Sequence, residues 1–156
     1  PDLIRAMVLS GTATKIGTAA QWQEREALVR DKGLEALADA TMARWFARKF
    51  RAEHPDVVAH WRAKMVSQRP EGYAGCAAAI GETDLYESTA ALRLPTMGLG
   101  GTEDGSTPPD MVRETCDLVP GSTFHLIRGS GHLPCIDNPA EFTRLLGDFL
   151  ASQGHL

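Results

Sequence analysis

Two residues of this 156-residue chain stand where they could do acid–base chemistry. Asp104 lies in the polar loop Gly101-Thr102-Glu103-Asp104-Gly105-Ser106-Thr107, and His132 in the tight loop Gly129-Ser130-Gly131-His132-Leu133-Pro134. An aspartate that accepts from one imidazole nitrogen fixes the tautomer and leaves the other nitrogen free to act as a base. Taken singly, each residue has a plain reading. An Asp among Gly, Ser and Thr is commonly a turn residue or helix cap, and a Gly-His pair is commonly just a loop. The ordered pair is more specific, because each residue follows its own short apolar run and a single helical segment separates them.

Those runs must be strands for the pair to meet. Thr96–Gly100 and Ser122–Arg128 read as strands, and Pro108-Pro109 opens a helix to about Leu118 between them. A first strand is predicted over Leu3–Leu9, buried on both faces and ending at Ser10-Gly11-Thr12. From about Thr18 to Ala91 the pattern is helical. Thr18 caps a helix through Trp22, Ala27 and Leu28 to Gly33. Helical spacing then continues from Gly33 to Phe50, and Pro55 starts another helix carrying Val57, Val58, Trp61 and Met65. Pro70 and Gly72 precede a small-residue helix, Tyr73–Ile80, and a short helix spans Leu85–Leu92. A last amphipathic helix starts at Pro139 and buries Phe142, Leu145, Leu146, Phe149 and Leu150.

Alternating strands and helices imply an α/β fold with a parallel sheet. In such a sheet, function gathers beyond the carboxyl ends of the strands, so Asp104 and His132 emerge at one edge. Three strands are few for a sheet covered on both faces, which typically has about five or six. The chain is therefore expected to be the C-terminal part of a larger fold, beginning at Pro1 in the middle of something. The alternative is a compact three-layer protein of its own.

Composition excludes several classes. Apolar residues make up 43% and charged residues 23%, which argues against wholesale disorder. The net charge is −4 with no basic stripe, so nucleic acid is not an expected partner. No run approaches a membrane span, and no signal peptide opens the chain. The three cysteines, Cys76, Cys116 and Cys135, are scattered without metal or disulfide spacing, which implies a reducing, cytoplasmic setting. Cys76 and Cys116 read as buried, inert thiols, and nothing around Cys135 activates it as a nucleophile beside His132.

The segments Gly101-Thr102-Glu103-Asp104-x-x-Thr107-Pro108-Pro109 and Gly131-His132-Leu133-Pro134, with Asn138-Pro139-x-x-Phe142 after the histidine, resemble the acid and histidine loops of α/β-hydrolases. Three further stretches resemble, within that superfamily, the 3-oxoadipate enol-lactonases. They are Thr12-Ala13-Thr14-Lys15-Ile16-Gly17, Ala43-Arg44-Trp45-Phe46 and Pro70-Glu71-Gly72-Tyr73-Ala74-Gly75-Cys76. The resemblance runs nearly end to end. It implies that residues 1–16 form a core strand and its loop, residues 17–92 a helical lid inserted after the sixth strand, and residues 93–156 the C-terminal core. Asp104 would be the triad acid and His132 the general base. The reaction implied is opening of a small carboxylated lactone to 3-oxoadipate, with no metal or organic cofactor. The family's nucleophile is a Ser in G-x-S-x-G, which precedes the acid and the His in chain order. No such motif occurs here, so the Ser and the oxyanion-hole donors would come from an N-terminal hydrolase half, as a separate chain or a missing segment. The chain alone is then expected to hydrolyse lactones poorly.

A carboxylated substrate calls for a cation or polar N–H facing the cavity. Lys15 and Arg44 are candidates, with Trp22 and Trp45 as walls or N–H donors. The two tryptophans also suit a lid core, and Arg44 also suits a solvated face. Met97, Gly98 and Leu133 fit either a pocket lining or plain packing. His54, His60 and His155 lack metal spacing and read as surface or helix residues, and His125 as a packed or edge strand residue. Two other functions remain open. One is a non-catalytic binding protein that keeps the pocket without a nucleophile. The other is esterase, C–C hydrolase or dehalogenase chemistry on the same scaffold, the last of which would use an Asp nucleophile.

Overall fold

Three extended segments pair in one parallel sheet in the computed structural model, which describes residues 3–155. Pro1, where the sequence was expected to begin mid-fold, lies outside the described residues, as do Asp2 and Leu156. The strands are β1 (Met7–Ser10), β2 (Thr96–Gly101) and β3 (Thr123–Ile127), in the spatial order β1-β2-β3. Met7 pairs with Thr96 and Met97 with Thr123, so the strands run side by side and their carboxyl ends share one edge.

The first strand differs from the expectation. It starts at Met7, not Leu3; Leu3 and Ile4 are 98% and 58% exposed. Its residues are half-buried rather than enclosed, because β1 is paired along one side only. β2, paired on both sides, is buried throughout. Alternation along β2 explains how its two faces are covered. Met97 and Leu99 point to one face and join Ile127, Val8 and the apolar stripe Phe142, Leu145 and Phe149 of α9 (Pro139–Ser152). Gly98 points to the other face, where α7 (Pro109–Asp117) lies so close that a Cβ would meet Cys116 Sγ at 2.2 Å. Burial pushes the Cys116 thiol up to about 11, in keeping with an inert core residue.

Between β1 and β2 lies a helical block. Thr18 opens α1 (Ala19–Lys32) with a reciprocal capping box: its hydroxyl accepts from Gln21 N–H while Gln21 Oε1 accepts from Thr18 N–H. α4 (Pro55–Val66) and α5 (Pro70–Glu82) both open on proline, as do α7, α8 (Pro134–Asp137) and α9. Pro70 is thus inside its helix rather than before it. α6 (Tyr86–Ala90) is short. Val29, Leu34, Met42, Phe46 and Met65 form the block's own buried cluster. Leu133 and Ile136, from the segment after β3, pack against that cluster and join the block to the sheet.

One break in the block matters for the site. The helical spacing from Gly33 to Phe50 suggests a single helix, yet two form, α2 (Glu35–Trp45) and α3 (Arg48–Glu53). Between them Phe46 is extended (φ −116°, ψ 136°), and its ring is buried in the cluster. The break leaves the last carbonyls of α2 without helical partners. Among the described residues no helix is long and apolar enough to cross a membrane.

Candidate active site

The freed carbonyls at the end of α2 are taken up by two loops. Arg44 O accepts from Gly105 N–H at 3.1 Å, and Trp45 O accepts from His132 N–H at 2.8 Å. Gly105 belongs to the loop after β2 and His132 to the loop after β3, so one turn of the helical block anchors both. The fit requires glycine at 131, where a Cβ would stand 2.4 Å from Trp45 O.

These loops bring the two sequence-identified groups together. Asp104 Oδ2 lies 2.9 Å from His132 Nδ1. The Asp104 side chain is 1% exposed and that of His132 19%. Asp104 also accepts from the backbone N–H groups of Ser106 (2.7 Å) and Thr107 (2.9 Å) through Oδ1, and from the Thr107 hydroxyl (2.9 Å) through Oδ2. Burial alone would raise its pKa. The hydrogen bond from His132, together with the Thr107 and Ser106 amides, outweighs burial and holds the carboxyl below its ordinary value. The Thr107 oxygen lies 3.2 Å from the same His132 nitrogen, so Nδ1–H has two acceptors beside it. With Nδ1 occupied, Nε2 is the nitrogen available for proton exchange.

The His132 ring lines a cavity of about 470 Å³ between the loops and the helical block. Trp45 stacks beside the ring, with centroids 6.4 Å apart. Trp22, Arg44 and Trp45 all line this cavity, as the sequence suggested. Lys15 does not. Its ammonium pairs with Asp84 at 2.9 Å, and both side chains are about half exposed (49% and 52%). Ile16 takes the inward position beside it. Met97 packs in the core and Leu133 against the helical cluster, so neither reaches the cavity, and Gly98 faces α7. Cys76 was expected to be buried, but it is exposed and lines the cavity.

Several lining residues carry no sequence signal of their own. Arg25 donates to Tyr73 Oη at 2.6 Å and Thr41 Oγ at 3.5 Å, and its guanidinium lies 5.7 Å from the Trp22 ring centroid. Arg44 reaches the same Thr41 oxygen at 3.4 Å. Arg25 stands one turn after Trp22, which is the one hint that the two share a helix face. Burial first, and the nearby Arg25 charge second, pull the Arg44 pKa below its ordinary value. Two guanidiniums thus converge on one neutral hydroxyl in a half-enclosed space, an arrangement suited to an anion. His54, His60 and His125 are exposed, and no group of three or more His, Cys, Asp or Glu side chains is gathered for a metal among the described residues.

No protein-family model matches the chain. It is 29% identical over 142 residues to 3-oxoadipate enol-lactonase 2 of Acinetobacter baylyi, covering 91% of this chain and 53% of that protein. It superposes on the crystal structure of the enol-lactonase from Burkholderia xenovorans LB400 with a TM-score of 0.91 at 32% identity, covering 96% of this chain and 57% of that one. A hydrolase from Pseudomonas aeruginosa matches with a TM-score of 0.87 at 28% identity, over 94% of this chain and 56% of that one. The chain spans about half the length of the curated enol-lactonases it matches. Its fold is therefore that of the α/β-hydrolases, and its relatives and structural neighbours belong to that family, 3-oxoadipate enol-lactonases among them.

Proposed function

We propose that this chain is the lid and C-terminal half of a 3-oxoadipate enol-lactonase-like hydrolase. Residues 17–92 are the lid, and Asp104 and His132 are the acid and base of a Ser-His-Asp triad. The observation that carries this reading is the 2.9 Å contact between Asp104 and His132 at the mouth of a cavity that also holds Arg25 and Arg44. The similarity to enol-lactonases supports the choice of substrate class.

The serine and the oxyanion-hole donors come from an N-terminal hydrolase half, and the first strand offers its open side to that half. The serine oxygen attacks the lactone carbonyl while His132 Nε2 takes its proton. Asp104, already anionic and fully hydrogen-bonded, stabilises the imidazolium. Collapse of the tetrahedral intermediate breaks the ring C–O bond, and His132 returns the proton to the departing enol oxygen. His132 then draws a proton from water as it attacks the acyl-enzyme; the acyl–serine C–O bond breaks, His132 returns the proton to the serine oxygen, and the carboxylate product leaves. Arg44 and Arg25 hold the substrate's distal carboxylate, and Trp45 and Trp22 wall the ring. No cofactor enters these steps. The unpaired thiols suit a cytoplasmic location. Without the serine, the chain by itself leaves the lactone intact.

The test is a fusion of this chain to the N-terminal part of the Burkholderia enol-lactonase, assayed for opening of 3-oxoadipate enol-lactone. Turnover that falls to background in the folded His132→Ala fusion is expected. A fusion that opens the lactone equally well with and without His132 would contradict the proposal.

A further inference from the structure

The cavity is not the only place where an aspartate holds the His132 loop. Asp137, at the end of α8, uses both of its carboxylate oxygens. Oδ1 accepts from the hydroxyl of Ser130, a fully buried side chain. Oδ2 accepts from Gly131 N–H at 2.6 Å and from Ala47 N–H at 3.3 Å. Ser130 and Gly131 are the two residues immediately before His132, and Ala47 belongs to the turn between α2 and α3. The same turn receives His132 N–H on Trp45 O. Asp137 therefore ties the approach to His132 and the lid turn to a single group.

We infer that Asp137 is a positioning residue, which fixes the His132 loop against the lid turn so that the imidazole stays seated on Asp104. The inference rests on the reading of Asp104 and His132 as an acid–base pair. Its chemistry is specific. Three donors converge from two sides, and only a carboxylate offers an acceptor to each side. The isosteric amide has one acceptor oxygen and must set its NH₂ against a donor on the other side. A charged acceptor also makes shorter, stronger hydrogen bonds than a neutral one. Loss of this anchor frees the backbone on the N-terminal side of His132 while removing none of the hydrogen bonds that Ser106 and Thr107 make to Asp104.

The experiment uses the full chain with 15N-labelled histidine, and NMR reads the tautomer of His132 and the exchange of its Nδ1 proton. In the parent chain His132 is expected as the Nδ1–H tautomer with a slowly exchanging proton. In Asp137→Asn the Nδ1 proton resonance is expected to disappear through exchange with water, with a mixed tautomer. The Gly131 and Ala47 amides should exchange at least about tenfold faster, beyond any drop in overall stability measured by denaturation. A folded Asp137→Asn chain that keeps the parent tautomer and Nδ1 proton overturns the inference. Should that variant fail to fold, Ser130→Ala removes one donor only. It is expected to speed Nδ1 proton exchange, and an unchanged rate overturns the inference equally. Asp104→Asn separates the two levels. Its loss of the Nδ1 proton, with retention in Asp137→Asn, sinks the positioning role alone, whereas retention in Asp104→Asn sinks the acid–base pair itself.

Discussion

The cavity has two walls, and they are finished differently. The loop wall is complete: Asp104 receives four donors and His132 is anchored through both ring and backbone. The helical wall is not. Among the described residues Arg25 and Arg44 donate hydrogen bonds only to the neutral oxygens of Tyr73 and Thr41, and neither pairs with a carboxylate. A wall with every polar group satisfied is organised before a substrate arrives and spends nothing on reordering in the transition state. A wall with two converging, unneutralised cations gains most when an anion enters. Under the proposed function, chemistry belongs to the loop wall and recognition to the helical wall.

The sharpest way to break that contrast is on the loop wall. In the assembled fusion, Asp104→Asn should lower kcat by about 10⁴-fold, the scale seen when a triad acid is replaced and the histidine loses its tautomer. A change confined to KM would put Asp104 on the recognition side instead. On the helical wall the signature should reverse. Arg44→Ala should raise KM by about 10–100-fold, the worth of one charge-assisted hydrogen bond, with kcat little changed. Equal losses for substrates with and without a carboxylate would remove the anion role.

The seam between the walls has its own test. Gly131→Ala places a Cβ against Trp45 O and should cost roughly 1–3 kcal/mol in denaturant unfolding, more than a surface change would. The acid limb of stability is a subtler probe. Because Asp104 is held below its ordinary value of 3.8 in the folded chain, its contribution is fully present above that value and is lost as pH falls through the lower folded one. Asp104→Asn should flatten the stability curve in that acid range, measured by urea unfolding at stepped pH. Lys15→Ala should be the mildest change. Its exposed ion pair with Asp84 is worth at most about 1 kcal/mol, and KM should stay within about twofold.

The meeting of Asp104 and His132 was legible because strand order alone delivers the two residues to one edge. Asp104 follows β2 and His132 follows β3, whatever the side chains around them do. The capped start of α1 at Thr18 and the proline-led helices were legible for a similar reason, since both are local chemistry. Lys15 was misplaced because its nearness in sequence to the end of β1 says nothing about direction, and Ile16 turns inward in its stead. Arg25 carried almost no signal: one arginine in a charged helix looks solvated until α5 packs against α1 and brings Tyr73 to it. The strand at Leu3–Leu9 was overdrawn because an apolar run does not say which of its residues find a pairing partner. Asp137 carried no signal in the sequence, because its contact with Ala47 exists only where the α2–α3 break puts that residue beside it.

The central claim is that His132, seated on Asp104, serves as base for a serine supplied from outside this segment. Phosphonylation of that serine in the fusion by a fluorophosphonate probe tests it without reference to the lactone. Labelling should be about 10³-fold or more faster with His132 present than with His132→Ala, since the hydroxyl is a weak nucleophile without its base. Equal labelling rates for the two folded fusions would contradict it.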